Sequence, residues 1–148
     1  MESAEELRKT GFSYRRIYDY ALDADWNLAT HIHPHKEARI PKGDGSGDWV
    51  RLDMNGNLFI ANGYSWDGAS GPALDTPDFM RGSCAHDALY QLCKAGELDS
   101  KEYRREADRL LLWLCKLDGM GRFRRGYVWL GVRMGGAWFM GRRTQKGL

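Results

Sequence analysis

The sequence predicts an α+β fold, with a small antiparallel sheet in the N-terminal half and a helical C-terminal half. Three observations carry that expectation. Aromatic and β-branched residues mix with polar ones and short breaks from Tyr14 to Ile32, and apolar runs flank an Asn-Gly pair at Asn55-Gly56. A Gly-rich stretch from Gly63 to Pro72 then separates the halves. Beyond Pro77 two long segments run up to stop signals at Gly96 and Gly119.

A chain of 148 residues suits one domain, 1–148, and buries a core without disulfides or a structural metal. Within it, 1–62 reads as mainly strands and turns, and 63–148 as a loop plus helices. Ser3 to Lys9 reads as a short helix start, with Ser3 as cap and Glu6 completing a capping box. Tyr14, Ile17, Tyr18, Tyr20, Trp26, Leu28 and Ile32 suit strands and turns. Thr30 to His35 is extended, because Pro34 opposes helix. Pro41 to Asp48 is a loop. Trp49–Asp53 and Leu58–Ile60 form a hairpin around the Asn-Gly turn.

In the second half a helix is expected from about Pro77 to Lys94. A second starts near Ser100, with Ser100 as cap and Tyr103 at its third position. It carries Ala107, Leu110, Leu111 and Leu114 on one face and ends at Gly119. Its antiparallel packing on the first would carry the site. Tyr127 to Met140 is aromatic and Gly-rich, and reads as a helix broken at Gly135-Gly136.

Charge and cysteine content narrow the function classes. The 22 basic and 20 acidic side chains leave a net +2, so nucleic acid is not expected as a partner. The basic residues are uneven: Arg122, Arg124, Arg125, Arg133, Arg142, Arg143 and Lys146 follow one another with no acid between. Cys84, Cys93 and Cys115 form neither a Cys-x-x-Cys pair nor an even set, which argues against a disulfide framework or zinc site and suits a reducing compartment. The polar start MESAEELRKTG is no signal peptide, and no apolar run is long enough for a membrane span.

The chemistry-bearing residues cluster in the second half. His86 and Asp87 sit mid-helix and diverge by about 100°, so they serve one site from two sides. Tyr90 lies one turn after His86 on the same face. An antiparallel return through Gly96 brings Asp108 back towards His86. A buried carboxylate accepting the imidazole N–H fixes its tautomer and stabilises the imidazolium, and His86 then serves as general base towards water. Asp87 is left for a divalent cation. The Gly63–Pro72 loop would add oxygens through carbonyls such as that of Gly68 and through Asp67, a set that suits calcium. Ser70, Gly71 and Pro72 complete the loop. Each feature also has a plainer reading. His-Asp dipeptides are common, Asp108 would pair with Arg105 or Arg109, Asp67 would cap Ser70, and the loop would merely join strand to helix.

Two further features stand outside that cluster. His31, His33 and His35 alternate, so on a strand they share a face that suits zinc or nickel; a solvated polar face is the expected reading. Arg122 to Arg143 mixes arginines with Phe123, Tyr127, Trp129, Leu130, Trp138 and Phe139. That composition fits a core-packing helix with basic flanks, an interfacial membrane helix, or a docking surface with Arg133, Trp138 and Arg142 in the interface.

Three motifs occur in order: Trp66-Asp67-Gly68-Ala69-Ser70-Gly71-Pro72, His86-Asp87-Ala88-Leu89-Tyr90, and Glu106-Ala107-Asp108-Arg109-Leu110-Leu111. With the aromatic, Gly-rich end they resemble the phage and prophage family known as domain of unknown function 1353. That resemblance implies a phage origin, with the virion or host cytoplasm as location and phage structural proteins as partners.

His-Asp-x-x-Tyr followed by an Asp on the next helix is also similar to the core of phospholipase A₂, above all the compact form in parvovirus capsids. This likeness implies His86 as base, Asp87 as calcium ligand, Asp108 as orienting acid and Tyr90 as its hydrogen-bond partner. The calcium loop of the secreted enzymes is not matched residue for residue, and their disulfides are absent. The resulting expectation is a calcium-assisted ester hydrolase acting on lipid or another envelope component. The alternatives are a non-catalytic tail or virion accessory protein and a peptidoglycan-directed lysis hydrolase.

Overall fold

The structure is a computed structural model that describes residues 12–16, 20–66 and 76–142, except for the side chains of 15, 16 and 135–142. The expected Ser3–Lys9 helix lies outside these residues. Among the described residues the architecture is α+β, with antiparallel sheets first and three helices after them. The chain divides into two compact units between Asp67 and Gly68.

The first unit holds two sheets. β1 (Tyr14–Arg16), β2 (Tyr20–Leu22) and β7 (Ser65–Trp66) form one, in the order β1-β2-β7. β3 (Trp26–Ala29), β4 (Ala38–Pro41), β5 (Asp48–Leu52) and β6 (Asn57–Ile60) form the other, in the order β3-β6-β5-β4. All pairings are antiparallel. Burial alternates as a half-buried strand requires. Trp26 and Leu28 of β3, and Val50 and Leu52 of β5, point into the core, while Asn27 and Ala29 are exposed. An aromatic cluster closes the first sheet: the rings of Tyr20 and Trp66 lie 5.7 Å apart, and Phe12 meets Trp26 edge-on at 4.8 Å.

The expected loop at Pro41–Asp48 is flanked by a strand, β4, that the sequence pattern did not reveal. Its middle residues are Arg39 and Ile40, and only Ala38 is buried, so no apolar alternation marks it. Arg39 is tied instead to buried Asp48 on β5, donating from Nη2 to Oδ1 at 2.8 Å and from Nε at 3.1 Å.

The β5–β6 hairpin forms as expected, with Val50 opposite Ile60 and Leu52 opposite Leu58. Its turn differs from the two-residue Asn-Gly form. Gly56 N–H donates to the Asp53 carbonyl at 3.1 Å, as does Asp53 N–H to that of Asn57, which makes a three-residue loop. Within this turn only Gly56 has positive φ, at 86°, and among the described residues no non-glycine does. This is a type I turn followed by a glycine bulge. Asp53 selects it, because its carboxylate accepts from the N–H groups of Asn55 and Asn57, both at 2.9 Å.

Thr30 to His35 pairs in no ladder and bends at His31 and His35. Thr30 holds it against the turn through N–H and hydroxyl bonds to the Gly56 carbonyl, at 2.8 and 2.7 Å. Ile32 and Pro34 face inward, and the three histidines between and beyond them face solvent.

The second unit holds α1 (Pro77–Lys94), α2 (Ser100–Leu117) and α3 (Arg122–Arg142). Pro77 starts α1 at a position where its missing N–H costs nothing. Gly96, at φ 78°, stops it. Gly96 and Glu97 N–H groups bond back to the carbonyls of Cys93 and Leu92 at 3.1 and 2.9 Å, a Schellman closure. α2 ends the same way at Gly119 and Met120. The cap of α2 is Asp99 rather than the expected Ser100. Its carboxylate accepts from Lys101 N–H at 2.8 Å, and a charged oxygen there also meets the positive end of the helix dipole.

α3 is continuous from Arg122 to Arg142, so neither the expected later start at Tyr127 nor the break at Gly135-Gly136 occurs. A glycine in a helix costs about 1 kcal/mol, and packing of the neighbouring turns can outweigh it. Val128 is buried with Leu111, Cys115, Met120 and Phe79, and Val132 packs beside them.

Candidate functional site

Helix α1 is buried on every face from Phe79 to Tyr90. Such a helix needs small residues to let neighbours approach, and Gly82, Ala85 and Ala88 supply them. A Cβ on Gly82 would sit 2.9 Å from Leu111 Cδ1 and 3.1 Å from the Leu111 carbonyl oxygen, so α1 and α2 touch there almost backbone to backbone. Further along, His86 meets Asp108. The contacts advance on one helix as they retreat on the other, so the pair is antiparallel, as expected.

Asp108 has no exposed surface. Its Oδ1 accepts from His86 Nε2 at 2.7 Å and from the Tyr90 hydroxyl at 2.5 Å. Its Oδ2 accepts from Arg133 Nη1 at 2.7 Å. One turn of α1 supplies His86 and Tyr90, whose rings lie 4.0 Å apart, and α3 supplies the arginine. Burial alone would raise the Asp108 carboxyl, but the hydrogen bond and charge of His86, with the Tyr90 and Arg133 bonds, hold it below the usual carboxylate range. The same burial, reinforced by the bond to Asp108, pushes the Tyr90 phenol well up, so it stays a donor.

A carboxylate can only accept, so this geometry puts a proton on His86 Nε2. In the neutral ring Nδ1 then carries the lone pair. The His86 side chain is 10% exposed. The expected His86–Asp108 and Tyr90–Asp108 pairs are thus assembled. Arg105 and Arg109, the anticipated surface partners of Asp108, are not used: Arg109 bonds Glu106 at 3.2 Å. Arg133, expected in an interface, belongs to the network instead. Only its place in a basic segment distinguished it in the sequence, and a contact 25 residues away leaves no local pattern.

The metal half is less complete. Asp87 is buried on α1 beside His86. Asp67, Gly68, Ser70, Gly71 and Pro72 lie outside the described residues, as do the side chains of Trp138 and Arg142. Among the described residues no three His, Cys, Asp or Glu side chains come together as a metal-holding group. That includes His31, His33 and His35, whose side chains are exposed. Calcium takes six to eight oxygens, and Asp87 is one carboxylate.

Burial disfavours the thiolate form of the three cysteines. All three are buried and free, and burial pushes the thiols of Cys93 and Cys115 up to about 11 and about 12. A second buried ion pair, Arg81 Nη2 to Asp118 Oδ1 at 2.6 Å, joins α1 to the end of α2. No helix among the described residues is long and apolar enough to cross a membrane.

Compared with protein-family models, with curated proteins and with solved structures, the chain matches none of them.

Proposed function

We propose that the chain is a hydrolase of the phage type, in which His86 draws a proton from water for attack on an ester of a lipid or other envelope component. The observation that carries this reading is the 2.7 Å bond from His86 Nε2 to the fully buried Asp108. In the reaction water adds to the ester carbonyl and its proton passes to His86 Nδ1. The imidazolium, stabilised by Asp108, then protonates the departing alkoxide. Tyr90 and Arg133 hold the carboxylate in place and keep it ionised. On this reading Asp87, buried on α1 beside His86, would be a calcium ligand, and calcium when bound would supply positive charge to the carbonyl oxygen.

The test is hydrolysis of phosphatidylglycerol and of a soluble short-chain ester, with and without a calcium chelator. His86→Ala should lower kcat by at least about a hundredfold while the far-ultraviolet spectrum stays that of the parent. A parent inactive on both esters, or a His86→Ala variant as active as the parent, sinks the proposal. Activity on purified peptidoglycan alone would move the reading to a lysis hydrolase.

One observation favours a second, non-catalytic reading as a tail or virion accessory protein. Asp108 accepts from donors on both other helices, which is also how a buried polar network fixes helix packing. That reading expects His86→Ala to cost stability, with no hydrolysis by the parent.

A further inference from the structure

The large hydrophobic side chains exposed among the described residues are concentrated on one helix. Apart from Tyr14 and Met54 they are Phe123 (83% exposed), Tyr127 (49%), Leu130 (57%) and Met134 (74%), all on α3. Their spacing of four, three and four keeps them within a strip about 60° wide and about 16 Å long. Val128 and Val132 point the opposite way, into the packing with α2. The helix is therefore held by one face and presents a second apolar face outward.

The margins of that strip are basic. On a helical projection Arg122 and Arg133 fall about 80–100° to one side of Phe123, and Arg124 about 100° to the other. Arg133 and Arg124 have carboxylate partners in Asp108 and Asp78. Arg122, stacked on Phe123 at 5.0 Å, and Arg125, bonded to the Met120 carbonyl, have none among the described residues. From Gly119 to Leu148 the sequence contains no acid, and Arg142, Arg143 and Lys146 add to the surplus.

We propose that the outward face of α3 docks flat on an anionic lipid surface. Phe123, Tyr127, Leu130 and Met134 enter the boundary between headgroups and acyl chains. Arg122, at one margin, buries its stem and keeps its charge at the headgroups. α3 lies on the bilayer rather than through it, since no described helix is apolar enough to cross. A second copy fits less well. The spacing would suit a helix pair, but such a pair needs opposite charges beside its seam, and α3 offers only like ones. An acidic protein helix matches the charge but would have to supply a groove for a raised ridge, whereas a fluid lipid boundary conforms to one.

The inference does not depend on the chemistry of His86. The test is co-sedimentation of the full chain with vesicles of pure phosphatidylcholine and with vesicles containing about one-third phosphatidylglycerol. The chain should bind the anionic vesicles and release in high salt. Phe123→Ala with Leu130→Ala should weaken binding at least about tenfold, and Phe123→Asp with Leu130→Asp should abolish it. Both pairs should unfold like the parent, since the replaced side chains are exposed, and His86→Ala should bind as the parent does. Three results would each overturn the proposal: no binding to anionic vesicles, equal binding to neutral ones, or binding unchanged in both paired variants. A dimer in sedimentation velocity that the alanine pair dissociates would also overturn it, in favour of a second copy.

Discussion

Arg133 on α3 donates to Asp108 on α2 across 2.7 Å, and this bond brings the third helix into the His86–Tyr90 network. The carboxylate is fully buried, while the arginine side chain keeps 32% of its surface in solvent. The pair is therefore unequal: removing Arg133 takes a charged donor from a group that cannot reach water.

Arg133→Met should destabilise the chain by about 1–3 kcal/mol, towards the lower end because the arginine is partly hydrated. Arg133→Lys should recover part of the loss, since it restores charge without the planar fork. Urea unfolding measures both. A Met variant within about 0.5 kcal/mol of the parent would show that His86 and Tyr90 suffice to hold Asp108.

The same network sets an acid limit. The folded protein holds the Asp108 carboxyl below its ordinary 3.8, against a burial effect that opposes this. Its contribution is thus fully present above that ordinary value and is lost as pH falls through the lower folded value. At neutral pH, Asp108→Asn should be less stable than the parent by about 2–4 kcal/mol. Below about pH 4 the parent should lose stability more steeply than the variant, so the two curves converge. Curves that stay parallel from pH 5 to pH 2 would exclude Asp108 as the source.

Gly82→Ala tests the crossing that brings α2 within reach of His86. Alanine raises helix propensity, yet its methyl would lie 2.9 Å from Leu111 Cδ1 and 3.3 Å from Cys115 Sγ. Overpacking should win, with a net loss of about 1–3 kcal/mol in thermal or urea unfolding. Leu111 is three residues from Asp108, so any ester hydrolysis should fall as well. A variant with the parent's Tm or a higher one would mean that α2 moves aside freely.

In the first unit the most restrictive position is Gly56. Its φ of 86° disfavours any side chain, and a Cβ there would sit 2.7 Å from the Thr30 carbonyl oxygen. Gly56→Ala should cost about 1–3 kcal/mol and loosen the Thr30–His35 run that rests on the turn. Amide exchange at Thr30 and Ile32 would report it, and unchanged protection at both would contradict the expected coupling.

The sequence by itself determined the fold class, the hairpin, the limits of α1 and the stop of α2, because alternation, caps and glycine stops act over a few residues. It also brought His86, Tyr90 and Asp108 together, since an antiparallel return through Gly96 leaves few other placements. β4, the unbroken α3 and the role of Arg133 were decided only by tertiary structure. β4 is held by Arg39 on Asp48 rather than by an apolar pattern. α3 runs through its glycines while Val128 and Val132 pack against α2, and Arg133 reaches a partner 25 positions back. Each depends on a contact whose energy exceeds the local preference, and such contacts exist only once the helices and strands have met.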